Sequence, residues 1–354
     1  MPRDLSFIPA LLPEWYRKNA RALPWRETTE PYRVWLSEIM LQQTRAEAVT
    51  GYYSRFLKAL PTVQALAAAD DELLMKLWQG LGYYNRARNL KKTAGIVSGV
   101  YGGVFPDTYE ELLALPGVGP YTAGAIASIC FGRPTPAVDG NVLRVLARLT
   151  AYGRPVNTDE AKKAAANALR PLYTPALAGT LTQSLMELGA CVCLPNGAPA
   201  CGVCPLAAHC LANENGAWEQ YPVRAEKKPR KKTELVAVLL RCGSRFALRK
   251  RPGRGLLAGL WEFPNAPLEN AANAENEAAA LAASLGARPA GLLRQAEYVH
   301  VFTHVEWHVR AFYFTCAETP EALTWATAEE LDSVYAVPSA FRPVCEMAFG
   351  GTQR

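Results

Sequence analysis

No run of about eighteen apolar residues, the length a bilayer-crossing helix needs, occurs in the sequence, so no membrane span or membrane partner is expected. Nor does the opening MPRDLSFIPALLPEWYRK make a good signal peptide, because prolines and charges break its apolar stretch. Without an export signal, persistent disulfides are not expected of the nine cysteines. There is no internal repeat. Neither sign of charge dominates: the net charge is +6, compatible with a polyanionic partner but mild. Half the residues are apolar and a fifth charged, ordinary for a globular protein, and 354 residues suffice for two or three domains.

What is present is concentrated in four cysteines. Cys193, Cys201, Cys204 and Cys210 read C-x7-C-x2-C-x5-C. Thiolates at this spacing can converge on one metal centre, and a single C-x2-C knuckle with two looser cysteines suits an iron–sulfur cluster better than a two-knuckle zinc site. Cys130, Cys191, Cys242, Cys316 and Cys345 lie outside the group and read as buried apolar residues.

Up to about residue 215 the apolar spacing is helical, with Gly and Pro between segments, and one helix is expected over 34–60. Residues 214–232 carry a run of six basic side chains (Arg224, Lys227, Lys228, Arg230, Lys231, Lys232) and read as a linker, either a solvated tether or a phosphate contact. Beyond Thr233 the pattern turns to strands: ELVAVLLRCGSRFALRKRP as a hairpin, GLWEFPN as loop and strand, a helix over 270–285, and strands over 298–304 and 305–314. The expected organisation is an all-α domain over 1–213 and an α+β domain over 233–354.

Leu115-Pro-Gly117-Val-Gly119 has the form of a hairpin between two helices (109–130), whose glycines let backbone N–H groups approach a phosphate oxygen or a cation. Asp139, before Gly140-Asn141, is either a helix N-cap or a carboxylate aimed at chemistry. Glu38 lies on the same helical face as Val34, Trp35 and Leu41. It is either paired with an arginine or desolvated, and a desolvated carboxyl holds its proton near neutrality and acts as a general acid. Two carboxylates are the usual means of breaking a glycosidic bond through an oxocarbenium-like transition state.

LPWR (23–26), LSEIMLQQTR (36–45), GLGYYNRARNL (80–90), LPGVGPYTAGAI (115–126), VDGNVLRVLAR (138–148) and the cysteine group occur in the order found in adenine DNA glycosylases of the MutY family, within the endonuclease III-like helix-hairpin-helix superfamily. The chain resembles this family over most of its length. The resemblance implies a hydrolase that removes adenine mispaired with 8-oxoguanine or guanine in duplex DNA, acting as a monomer in the cytoplasm (on the nucleoid in a bacterium). It further implies a [4Fe-4S] cluster on the four cysteines, within a loop over 191–210, and room for a monovalent cation at the hairpin of Gly117 and Gly119. Glu38 becomes the acid that protonates the extruded base, and Asp139 the group that stabilises or captures the sugar cation. Tyr121 and Asn141 order the carboxylates and the attacking water. Arg26 and Glu187 contact the flipped adenine; Gln43, Thr44, Leu81 and Tyr83 wedge into the duplex and surround the opposite base. Bifunctional relatives carry a lysine nucleophile at the position of Tyr121, so the chemistry is expected to stop at base removal.

The second domain resembles a MutT-like Nudix domain through Gly259-Leu-Trp-Glu-Phe-Pro264, but the following residues lack the R-E-x-x-E-E helix that would hold Mg²⁺. The resemblance implies recognition of 8-oxoguanine by Phe302, Thr303 and His304 rather than nucleotide hydrolysis. The chain departs from the family in the x7 spacing after Cys193, where the family has x6, which leaves Cys191 in competition as the first ligand. It departs again at Leu143, where many relatives carry lysine. The competing readings are a non-catalytic iron–sulfur DNA-binding protein, a bifunctional glycosylase/lyase, and a Nudix hydrolase with a DNA-binding appendage.

Overall fold

The computed structural model describes residues 4–226 and 229–349; Lys227 and Lys228 of the basic run lie outside the described residues. The contacts divide the chain into two compact units, Met1–Ala68 with Arg88–Glu226, and Ala69–Ala87 with Lys227–Arg354.

The first unit is helical: α1 (Ile8–Asn19), α2 (Pro31–Leu41), α3 (Ala46–Ala59) and α4 (Val63–Ala68) precede the excursion to the second unit, which carries α5 (Asp71–Trp78). Then follow α6 (Asn85–Gly99), α7 (Tyr109–Leu113), α8 (Pro120–Phe131), α9 (Gly140–Leu149), α10 (Asp159–Leu169), α11 (Ala178–Cys191) and α12 (Leu211–Glu214). The single helix expected over 34–60 is two. Gln43 adopts φ 58° and the chain restarts at Arg45, the N-cap of α3. The apolar period continues on both sides of this turn, so spacing alone does not reveal it. Helix α2 begins where Glu30 accepts from the Tyr32 and Arg33 N–H groups and Pro31 supplies a preset first turn.

Helix α11 packs against α1, α8 and α9, while α8 also packs on α2 and α7. Leu12, Leu146, Leu181 and Leu185 are fully buried in this core, and each contributes about 1.5–3 kcal/mol of transfer free energy. These packings bring residues from α2, α8, α9 and α11 to one place. The segment after α12 is docked as far as Ala225: Arg148 Nε donates to Tyr221 O (3.0 Å), Val156 N–H to Val223 O (3.0 Å), and Ala225 N–H to Asn157 Oδ1 (2.8 Å).

The second unit is built on a mixed sheet ordered β3 (Trp261–Glu262), β2 (Arg245–Lys250), β1 (Lys231–Cys242), β6 (Val305–Cys316), β5 (Pro289–Val301), with β4 (Asn265–Pro267) on β1 and β7 (Thr324–Thr327) on β2. Strands β1 and β6 run parallel, from Lys231 opposite Val305 to Arg241 opposite Thr315. Alternate β1 residues fill two cores. Leu235, Ala237 and Leu239 face Phe341, Val344 and Met347, of which the last two lie on α15 (Arg342–Phe349). Val236, Val238 and Leu240 face Ala274, Ala278 and Ala282 of α13 (Ala274–Ser284). Burial on both faces explains the nearly unbroken apolar run of β1. The helix α14 (Ala328–Ser333) starts from a Thr327–Glu330 capping box.

Two strand boundaries differ from the sequence reading. Lys231 and Lys232, assigned there to the linker, open β1, because pairing with β6 begins at Lys231. The strand expected over 298–304 starts at Pro289 and stops at Val301, so Phe302, Thr303 and His304 form the turn into β6.

Candidate active site

Glu38 is buried on α2, 5 % exposed. Its partner is not an arginine: Tyr121 Oη, from the first turn of α8, donates to Glu38 Oε2 at 2.5 Å. Burial pushes the Glu38 carboxyl up to about 7; the Tyr121 hydrogen bond opposes the shift, the nearby Asp139 charge adds to it, and Arg26 opposes it weakly. Burial therefore lets Glu38 hold a proton near neutrality. Arg26, the arginine whose charge acts on Glu38, instead donates to Glu187 Oε2 at 2.6 Å.

Asp139 fulfils both readings open in the sequence. Its Oδ1 accepts from Val142 N–H (2.8 Å) as the N-cap of α9, and its charge reaches Glu38. Its pKa is raised by burial, against the pull of the Val142 N–H and the Asn141 amide. Asn141 Nδ2 donates to Asp139 Oδ2 at 2.7 Å. Glu187 is buried on α11, and burial alone would raise it. Arg21 and Arg26 outweigh this with hydrogen bonds and hold the carboxyl far below the usual carboxylate range. The cluster thus contains two carboxyls whose pKa burial raises, Glu38 and Asp139, and a third, Glu187, that two arginines hold ionised.

Sequence reasoning missed three residues here. Arg21 grips Glu187 with its backbone N–H, Nε and Nη2. Gly189 lets α11 approach α9: an added Cβ would stand 2.5 Å from Asn141 Cβ. Arg144, one turn after Asn141, donates from Nη2 to Asn141 Oδ1 (2.9 Å) and Gly189 O (2.6 Å), and from Nε to Cys193 O (2.7 Å). Buried arginines at i and i+4 of α9, Arg144 and Arg148, were the available signal.

Gly117 has φ 76°, and a Cβ there would stand 2.6 Å from Asn89 Cβ, so this position requires glycine. Gly119 is extended, as any residue can be, and caps α8 with open space beside it. Gln43 is exposed in the α2–α3 turn, where Thr44 N–H donates to Leu41 O.

Cys193, Cys201, Cys204 and Cys210 line one pocket with Arg148, Leu188 and Trp218. Burial raises the Cys204 thiol to about 11, and the other three thiols add to the shift. Arg148 Nη1 lies 3.3 Å from Cys193 Sγ. Cys191, the last residue of α11, is exposed and not among the pocket residues, which favours Cys193 over it. This corrects the expectation that Cys191 is a buried apolar cysteine: α11 turns it outward. Cys130, Cys242 and Cys345 are half-buried, and Cys316 is buried.

In the second unit, Leu81 is buried, and Tyr83 is half-exposed at φ 47°. Tyr83 Oη and Thr303 Oγ1 are hydrogen-bonded at 3.0 Å. Phe302 packs edge-on against Trp307 (4.9 Å between centroids), and Lys231 N–H donates to His304 O. In the region expected to lack a Nudix metal helix, Glu277 of α13 accepts from the Glu269 and Asn270 N–H groups.

Residues 36–171 match the HhH-GPD superfamily of base excision DNA repair proteins, and residues 235–347 match the NUDIX domain. The adenine DNA glycosylase of Homo sapiens is 35 % identical over 97 % of this chain and 74 % of its own length. That of Mus musculus is 34 % identical over 97 % and 78 %. A solved thermostable thymine-DNA glycosylase matches 58 % of this chain and 95 % of its own, at 28 % identity and a TM-score of 0.53. The expected architecture, helical glycosylase half and Nudix-like half, is borne out. The chain belongs to the adenine DNA glycosylase family, hydrolytic DNA N-glycosylases of base excision repair.

Proposed function

We propose that the protein hydrolyses the N-glycosidic bond of adenine opposite 8-oxoguanine or guanine in duplex DNA, and that its chemistry ends with base removal. The observation that carries this reading is the buried Glu38, which holds a proton near neutrality under the Tyr121 hydroxyl and beside Asp139. The adenine is extruded from the stack, because its glycosidic bond is inaccessible inside the duplex. Arg26 offers a donor to the base edge, and Glu187, whose oxygens already accept from Arg21 and Arg26, acts there through the arginine it holds. Glu38 gives its proton to the departing adenine, a step worth about 10²–10⁴ in rate. As the bond breaks, positive charge grows on the sugar, and the Asp139 carboxylate stabilises it. Asn141 keeps Asp139 aimed and orders the water that completes hydrolysis. Tyr121 offers no amine for a Schiff base, which supports a monofunctional enzyme.

The pocket of Cys193, Cys201, Cys204 and Cys210 supports a [4Fe-4S] assignment: four thiols line one space, and their single C-x2-C knuckle with two looser cysteines suits a cluster better than zinc. When bound, such a cluster supplies iron–thiolate cross-links that hold the 193–210 loop in shape. The hairpin at Gly117 and Gly119 suits a backbone phosphate, with or without a monovalent cation. Gln43, Thr44, Leu81 and Tyr83 serve the wedge and the opposite base. The Tyr83–Thr303 hydrogen bond supports a shared role for the wedge segment and the Phe302–His304 turn in reading 8-oxoguanine.

The test is single-turnover incubation with duplexes carrying adenine opposite 8-oxoguanine, guanine or thymine, resolved with and without alkali. Strand breaks only after alkali, at the first two substrates, are expected. Breaks before alkali in a nuclease-free preparation mean lyase activity. Iron-replete protein that binds DNA and releases no base is the non-catalytic alternative.

A further inference from the structure

Tyr121 has one hydroxyl proton and two acceptors. Its Oη lies 2.5 Å from Glu38 Oε2 and 3.6 Å from the thioether sulfur of Met186, on α11. While Glu38 is ionised, the carboxylate takes the phenolic proton. Once Glu38 carries a proton on Oε2, that hydrogen bond reverses: the carboxylic O–H donates to Oη, and the phenolic hydrogen needs another acceptor. Asp139 is engaged, since Oδ1 accepts from Val142 N–H and Oδ2 from the Asn141 amide. Sulfur is a weak acceptor, but a buried hydroxyl with none loses more.

We propose that Met186 is a positioning residue that supports the protonated form of Glu38 by accepting the Tyr121 hydroxyl when the carboxyl no longer can. The inference rests on Glu38 being the general acid. Tyr121 then serves both states of the acid. In the resting acid its hydroxyl points at sulfur and its oxygen accepts from Glu38, whose O–H turns from Oη to the base once adenine is bound. As the Glu38 O–H bond breaks and an N–H bond forms on the leaving adenine, the electron pair stays on the carboxylate, and the hydroxyl swings back to stabilise it. Tyr121, Asp139 and Arg26 are the groups whose charge or hydrogen bonding acts on Glu38, and the Cys130 thiol on α8 also feels its charge. Changing Met186 leaves all four groups in the chain and is expected to act on Glu38 only through the Tyr121 hydroxyl.

The test is the pH dependence of single-turnover adenine release in Met186→Leu, which keeps the bulk and removes the acceptor. The rate of the unaltered enzyme falls with rising pH as Glu38 ionises. In Met186→Leu this limb is expected about half a pH unit lower, with the acidic plateau little changed. Met186→Gln, whose amide oxygen accepts, is expected to bring the limb back. In a Tyr121→Phe background, Met186→Leu is expected to move nothing further. A lowered plateau with an unmoved limb, or a limb that Gln does not restore, overturns the inference and leaves Met186 as packing. A Glu38→Gln enzyme that retains both rate and limb overturns the underlying assignment instead.

Discussion

Glu38→Gln separates catalysis from stability within one side chain. The amide keeps the shape and can still accept from Tyr121, but it has no acid proton and no charge. Loss of general acid catalysis is expected to slow adenine release by about 10²–10⁴. Stability is expected to change in the opposite sense. The folded Glu38 carboxyl titrates at about 7 against an ordinary 4.5. Between these values the folded protein keeps a proton that the unfolded chain releases, so stability is full below 4.5 and falls as pH rises through 7. At 1.36 kcal/mol per pH unit the penalty above 7 is about 3 kcal/mol, with burial as its main cause. Gln carries no such penalty. The variant is therefore expected to match the parent near pH 5 and to exceed it at pH 8 by up to about 3 kcal/mol. Urea unfolding of both proteins at the two pH values measures this directly. A stability difference that does not change with pH would refute the claim that Glu38 is desolvated and charged at a cost.

Cys204→Ser is expected to lose iron and weaken DNA binding, while Cys191→Ser, changed outside the thiol pocket, keeps its iron; iron per chain decides. Gly189→Ala places a methyl 2.5 Å from Asn141 Cβ, and such overpacking is expected to cost about 1–3 kcal/mol. Adenine release should slow with it, because Asn141 holds Asp139; normal rates in a destabilised protein would detach Asn141 from catalysis. Thr303→Val removes the hydroxyl that meets Tyr83. It is expected to reduce the preference for A:8-oxoguanine over A:G by about 2–10-fold, the worth of one hydrogen bond, with A:G turnover unchanged.

The reach of the sequence followed the range of the contacts involved. Glu38 was legible as a carboxyl on an apolar face because the helical period is local, but its partner was not, since Tyr121 lies eighty-three positions away. Asp139 offered two roles that looked exclusive and are compatible: the geometry that caps α9 also sets the carboxylate beside Glu38. The break at Gln43 was invisible because an apolar period registers which face is buried, not whether the backbone turns left-handed between two stretches in phase. Strand β5 was read too short because its first half is exposed and so lacks the alternation that marks a half-buried strand. The grouping of residues 69–87 with the C-terminal unit has no local signature at all.

Arg144 shows what lay between the legible parts. The hairpin, the carboxylates and the cysteines each announced themselves as separate motifs. Arg144 sits inside one of them, VDGNVLRVLAR, and reads as an ordinary helix residue. Its guanidinium bonds Asn141, which bonds Asp139, and it also bonds the carbonyl of Cys193. Such a buried guanidinium, with its donors spent on a side-chain amide and three backbone carbonyls, has few alternative arrangements. The start of the thiol loop and the Asp139 carboxylate are therefore held by one side chain. A shift of the Cys193 backbone has to be absorbed by Arg144 and Asn141 before it reaches Asp139, which is the physical reason that the loop's integrity and the active-site geometry are not independent.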